Sequence, residues 1–331
     1  MVKKAKGSPQ EEVGKHGRRR WVVVCSAILF LIIVLGLVFS GLFLQSEAKF
    51  PLTAAIVDQL AADFPDPSFV STVTGVLQSH GFNVSYYNGT IDVEFYRKLA
   101  NYNYGIIILR AHSALRNDNS TVDLFTSERY AAGIHDEELA DGSLAVGEYY
   151  YRPGEQYFVV TSKFIEDRLE GRFSQSIVIA MGCQSLKPGC EQMAAAFIQR
   201  GAKAYVGWSD IIFPQDTDKE TTRLVGMLLD ENLTVGDAVS DARAYTYSGT
   251  PYPNSTQVIN VRSEMRFYPQ SQNGLTVSEL IGETKSLSGA GAFAATDGSS
   301  ACLVGRHMQQ LAQLFVLSQR MLLGIHQLIF P

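Results

Sequence analysis

Two side chains in this sequence are equipped for covalent chemistry, the imidazole of His112 and the thiol of Cys183. His112 ends the apolar run GIIILRAH, and Cys183 ends the apolar run SIVIAMGC. Read as buried parallel strands, both runs deliver their last residues to the carboxyl edge of a sheet, where open α/β folds bind ligands. If the two strands are neighbours their ends lie ~5 Å apart, and a base and a nucleophile face one cleft. A thiolate is the attacking species, and a nearby imidazole raises its population. Gly182 lets the backbone turn sharply and lets a carbonyl compound approach. The backbone of Gly182, Cys183 and Ser113 offers N–H donors for an oxyanion hole. Each residue alone has an ordinary reading: a surface histidine after a strand, a small buried hydrophobe, or a disulfide between Cys183 and Cys190. Their equivalent positions at two strand ends are what favour chemistry.

The elements that must position this pair follow an alternating pattern. Thr53–Leu60 reads as a buried strand, and Ser68 caps a helix running to about His80 with Phe69, Val73, Val76 and Leu77 on one face. Phe82–Tyr87 alternates like a strand, residues 93–100 form a second helix, and residues 105–109 a third strand. This β-α-β-α-β order predicts a mainly parallel sheet with helices on both faces. Strands follow at Ser176–Met181 and Ala202–Trp208, with helices at Lys163–Glu170, Glu191–Gln199, Thr217–Asp230 and Val235–Ala244. Less regular pieces occupy residues 113–173, with strands near Leu124–Ala131 and Tyr157–Thr161, and a late pair of short strands falls within Val258–Phe267.

Charge is unevenly distributed. Residues 1–20 carry seven basic and two acidic side chains, so the total of −5 leaves −10 on the remainder. An acidic body lacks the clustered Lys and Arg of a nucleic-acid surface, so no nucleic-acid partner is expected. From Val22 to Leu44 the chain holds 23 uncharged residues. A helix of that length spans ~34 Å against a hydrocarbon core of ~30 Å, longer than the ~7–15 residues of a cleaved signal peptide. Residues 1–20 are therefore expected as a basic cytoplasmic tail and residues 21–45 as a transmembrane signal-anchor helix. Residues 50–284 are expected as one extracellular α/β domain, 285–305 as a flexible linker and 306–331 as an apolar terminal helix without an assigned role. Five N-x-[ST] sequons, at Asn83, Asn88, Asn119, Asn232 and Asn254, account for half of the ten asparagines after the anchor, which points to an exported, glycosylated face. With only four cysteines the chain is no disulfide scaffold.

The run IVIAMGCQSL followed by MAAAFIQRGAKAYVGWS, and the run IDVEFYRKLANYNYGIIILRAHSA, resemble the caspase/gingipain/legumain clan of cysteine peptidases, especially gingipain-like and CHAT-type members. The resemblance covers roughly residues 53–245. It implies a caspase-like three-layer sandwich, His112 as general acid/base, Cys183 as nucleophile, and peptide or protein substrates. The clan usually has Gly directly after the catalytic His, where this chain has Ser113. Several members are inactive scaffolds, so a non-catalytic surface module is the alternative. Asp58, Trp208, Ser209 and Asp210 stand at strand ends where a substrate pocket for a basic side chain would lie, although loop aspartates are the plainer reading. No metal site or cofactor is expected; the acidic run Asp136-Glu137-Glu138 beside His135 offers calcium ligands only if it is not a solvated loop. H-E-x-x-H, G-x-S-x-G, Walker and C-x-x-C motifs are absent.

Overall fold

The computed structural model describes residues 49–149, 151–250 and 258–282. In chain order the elements are β1 (Thr53–Asp58), α1 (Pro67–Ser79), β2 (Asn83–Tyr87), α2 (Val93–Lys98), β3 (Ile106–Arg110), β4 (Ser113–Leu115), β5 (Val122–Arg129), α3 (Asp136–Asp141), β6 (Leu144–Glu148), β7 (Gln156–Val160) and α4 (Ser162–Asp167). There follow β8 (Ile177–Ala180), α5 (Gln192–Gln199), β9 (Ala204–Trp208), α6 (Pro214–Leu229), α7 (Val235–Asp241), β10 (Tyr245–Gly249), β11 (Ile259–Ser263) and β12 (Met265–Tyr268).

Six strands form the central sheet in the order β12-β9-β8-β3-β1-β2. Five of them are parallel, and β12 runs antiparallel on the β9 edge. Its inner strands are apolar except at their ends because both faces are covered. Successive residues of β3 serve opposite cores: Ile106 and Ile108 pack with α1, α6 and α7, while Ile107 and Leu109 pack with α2, α4 and α5. The same alternation holds for β1 and β8. α1 starts two residues earlier than a cap at Ser68 implies, because the Asp66 carboxylate accepts the Phe69 N–H at 2.9 Å and Pro67 takes the first helical position.

The expectation of a mainly parallel sheet behind a membrane helix is corrected on two points. Beside the central sheet stand a four-stranded antiparallel sheet, β4-β5-β7-β6, and an antiparallel pair, β10-β11. The architecture is therefore α/β with mixed sheets. Among the described residues no helix is long and apolar enough to cross a membrane. The basic tail, the Val22–Leu44 segment, the 285–305 linker and the 306–331 segment lie outside the described residues.

Four short elements are not legible in the sequence, namely β4, α3, β6 and β10. Each is three to six residues long, and their side chains alternate too briefly to declare a period.

Candidate active site

β3 and β8 are adjacent and parallel, with Leu109 opposite Ala180. Met181 continues the ladder by donating to the Leu109 carbonyl at 2.9 Å. His112 and Cys183 thus leave the sheet at the same edge, and both line one cavity of about 550 Å³.

His112 is held by its backbone before its ring is considered. Its N–H donates to Gln59 Oε1 at 2.9 Å, and its carbonyl accepts the Phe125 N–H at 2.9 Å. The ring sits among Phe64, Phe125, Tyr149 and Tyr151, with the Tyr149 ring centroid at 4.7 Å. Nε2 lies 2.8 Å from the Tyr151 hydroxyl, which donates its single proton to Asp63 Oδ2 at 3.0 Å. The Tyr151 oxygen must then accept from Nε2–H, which leaves Nδ1 as the basic nitrogen. Arg152 pairs with the same Asp63 carboxylate. Burial lowers the His112 pKa to about 4; Asp63 opposes this, and Arg110 and Arg152 reinforce it. The imidazole is neutral at physiological pH.

Cys183 occupies a tight turn. Gln184 takes a left-handed φ of 58° and donates its N–H to the Asp210 carbonyl at 2.9 Å. The Ser185 hydroxyl donates to the Ala180 carbonyl and accepts the Trp208 N–H, both at 2.9 Å. Ser113 braces this turn, because its hydroxyl donates to the Cys183 carbonyl at 2.6 Å. Gly182 is required beneath that contact, since a Cβ there would lie 2.3 Å from Ser113 Oγ and 2.6 Å from the Ala111 carbonyl oxygen. The thiol donates to the Ile212 carbonyl at 3.3 Å. Burial raises its pKa, with the Ile212 contact opposing. The resting site therefore holds a thiol and a neutral imidazole rather than a thiolate–imidazolium pair, and no hydrogen bond joins them.

Behind the site, Arg110 forms a buried cluster that was not anticipated from the sequence. Its guanidinium makes paired contacts with Asp218 at 2.7 and 2.8 Å, meets Asp58 at 2.7 Å and donates to the Phe64 carbonyl at 2.7 Å. This ties the end of β3 to β1, to the loop after β1 and to α6. A charged residue closing the otherwise apolar run GIIILR was the available signal, because a buried cation demands carboxylate partners. The aromatic run at residues 149–151 was the signal for Tyr151.

The expected substrate pocket is corrected. Asp58, Trp208, Ser209 and Asp210 do not line the cavity. Asp58 is consumed by Arg110 and by the Tyr86 hydroxyl. Trp208 is buried and donates Nε1–H to Thr217 Oγ1 at 2.9 Å. Ser209 is zipped to Glu264 through both its N–H and its hydroxyl. The Asp210 carboxylate faces Lys187 Nζ and the Ile211 N–H. The wall is supplied instead by the loop after β1, by residues 111–115 and by residues 211–217.

Cys183 and Cys190 are both free, and the Cys190 thiol points to the Asn119 carbonyl. Of the acidic run, Glu137 pairs with Arg168 and Glu138 with Arg97. Among the described residues no group of three potential metal ligands occurs. Asn83, Asn88, Asn119 and Asn232 are exposed, and Asn254 lies outside the described residues.

No family model matches the chain, and no curated protein matches it. A solved structure of the Arg-specific cysteine proteinase gingipain R (RGPB) is similar, with a TM-score of 0.36 and 12% identity, covering 58% of this chain and 41% of that chain. The match thus spans less than half of that protein, and the likeness is distant.

Proposed function

We propose that this chain is a cysteine-type endopeptidase acting through Cys183 and His112. The observation that supports this is their placement after two adjacent parallel strands, on the wall of one cavity. In the proposed cycle the Cys183 sulfur adds to the scissile carbonyl carbon, and its proton passes to His112 Nδ1. That proton then goes to the leaving amine as the C–N bond breaks. Water hydrolyses the thioester, releasing the carboxylic acid and restoring the thiol. The Cys183 N–H, which has no hydrogen bond to another described residue, is the oxyanion donor this scheme uses. The starting state is neutral, so bound substrate must turn the thiol away from the Ile212 carbonyl before transfer begins.

That same thiol–carbonyl contact favours a second reading, a non-catalytic binding module built on this cleft. A thiol-directed peptide probe separates the two. Labelling of the wild-type chain that disappears in a folded Cys183→Ala variant supports the peptidase. Equal labelling of both eliminates it.

We further propose that the domain is exported and glycosylated, supported by the exposed asparagines of four sequons. Treatment of the expressed chain with a peptide N-glycosidase should increase its gel mobility; no change would exclude occupancy at these sites.

A further inference from the structure

We infer that the cavity beside Cys183 takes a large uncharged side chain, aromatic or aliphatic, from the residue preceding the attacked bond. This rests on the peptidase reading above. A nucleophile on the cavity wall places the acyl residue's side chain nearest to that space, and about 550 Å³ accommodates any amino-acid side chain.

The wall chemistry sets the selection. Leu60, Phe64, Met181, Ile211, Ile212 and Phe213 all contribute to it. Met181 and Ile212 are buried, and the Phe213 ring is held edge-on by Tyr247 at 4.4 Å, so this surface is preformed. Among the lining residues only Glu148 carries a formal charge while His112 is neutral. Glu148 is exposed, and its Oε1 already accepts the Gly154 N–H at 2.9 Å. The two carboxylates that the sequence offered to a basic substrate are spent, Asp58 on Arg110 and Asp210 on Lys187. The two arginines that act on His112 are spent as well, Arg110 on Asp58 and Asp218, Arg152 on Asp63. A charged side chain entering here would lose hydration without gaining a partner. An apolar one loses nothing and covers apolar wall.

The test uses the full chain and four peptidyl coumarin amides that differ only in Phe, Leu, Arg or Asp before the bond. Matching acyloxymethyl ketones, from which sulfur displaces a carboxylate, report attack at Cys183 by mass spectrometry. Phe or Leu should exceed Arg and Asp on the order of 100-fold in kcat/KM, the scale of discrimination by an apolar pocket. Gln215→Glu adds a carboxylate to the wall at an exposed position in the first turn of α6, where an acid suits the helix terminus. It should raise Arg relative to Phe by roughly two- to fivefold, the scale of one exposed charge contact. Preference for Arg or Asp, similar rates for all four, or an Arg/Phe ratio unmoved by Gln215→Glu would overturn the inference while Cys183 labelling keeps the peptidase reading. If no ketone labels Cys183, the peptidase reading fails, and the pocket assignment with it.

Discussion

Replacing Arg110 by Met tests whether the cluster behind His112 is structural. Arg110 and Asp58 are each 1% exposed and Asp218 is 4% exposed at the side chain, so all three charges are removed from water. Met keeps an apolar stem but removes the guanidinium that lies over the Phe69 ring, and it strands two carboxylates. Removing one partner of a buried ionic pair costs about 3–5 kcal/mol, and the Phe64 carbonyl also loses its donor, worth about 1 kcal/mol. We expect a loss of about 4 kcal/mol at pH 7, seen as a drop of roughly 8–16 °C in thermal midpoint for a domain of this size. The sign with pH follows from proton binding. Without Arg110 the native carboxylates titrate above their unfolded value near 4, so the variant's native state binds more protons than its unfolded state. Its deficit relative to wild type is therefore full at neutral pH and shrinks as pH falls towards 4. Denaturant titrations at pH 7 and pH 5 measure both quantities. A deficit under about 1 kcal/mol at pH 7, or the same deficit at both pH values, would refute the assignment. Adding Asp58→Asn and Asp218→Asn to the variant should recover part of the loss, because it removes the stranded charges.

Three further outcomes are expected. Gly182→Ala sets a methyl against the Ala111 carbonyl oxygen and the Ser113 nitrogen as well as the Ser113 hydroxyl; it should destabilise by about 1–3 kcal/mol. Ser113→Gly should rescue it only in part, since the backbone contacts remain, and full rescue in urea melts would count against that geometry. Tyr151→Phe removes the acceptor for His112 Nε2–H and should lower kcat about tenfold with KM little changed, the effect of one hydrogen bond. A shift confined to KM would assign Tyr151 to substrate contact instead. Because burial holds His112 at about 4, its unfolded form binds a proton first as pH drops below ~6.5. Wild-type stability should therefore fall between pH 6.5 and 4 by up to about 3 kcal/mol more than that of a folded His112→Asn variant. Parallel curves for the two would remove the histidine from the acid response.

Gly105–Leu109 and Ser176–Met181 were legible as buried strands because an inner strand of a covered sheet must be apolar on both faces. That requirement leaves a run that local sequence alone displays. His112 and Cys183 were legible for the same reason, as the first reactive side chains past the ends of those runs. Adjacency was a different matter. That β3 pairs with β8, although some seventy residues separate them, depends on the strand order β9-β8-β3-β1.

The partners of Asp58 and Asp210, for which the sequence left two readings open, show what tertiary structure alone decided. A carboxylate after a strand looks the same in sequence whether it greets a substrate or a buried guanidinium. Asp58 meets Arg110 from 52 positions away, and Arg110 meets Asp218 from 108 positions away. The hydrogen-bond partners of the His112 ring and backbone likewise come from Gln59, Phe125 and Tyr151, on three separate segments. Periodicity records which face of an element is dry; which polar group finds which partner is settled only when distant segments close over one another.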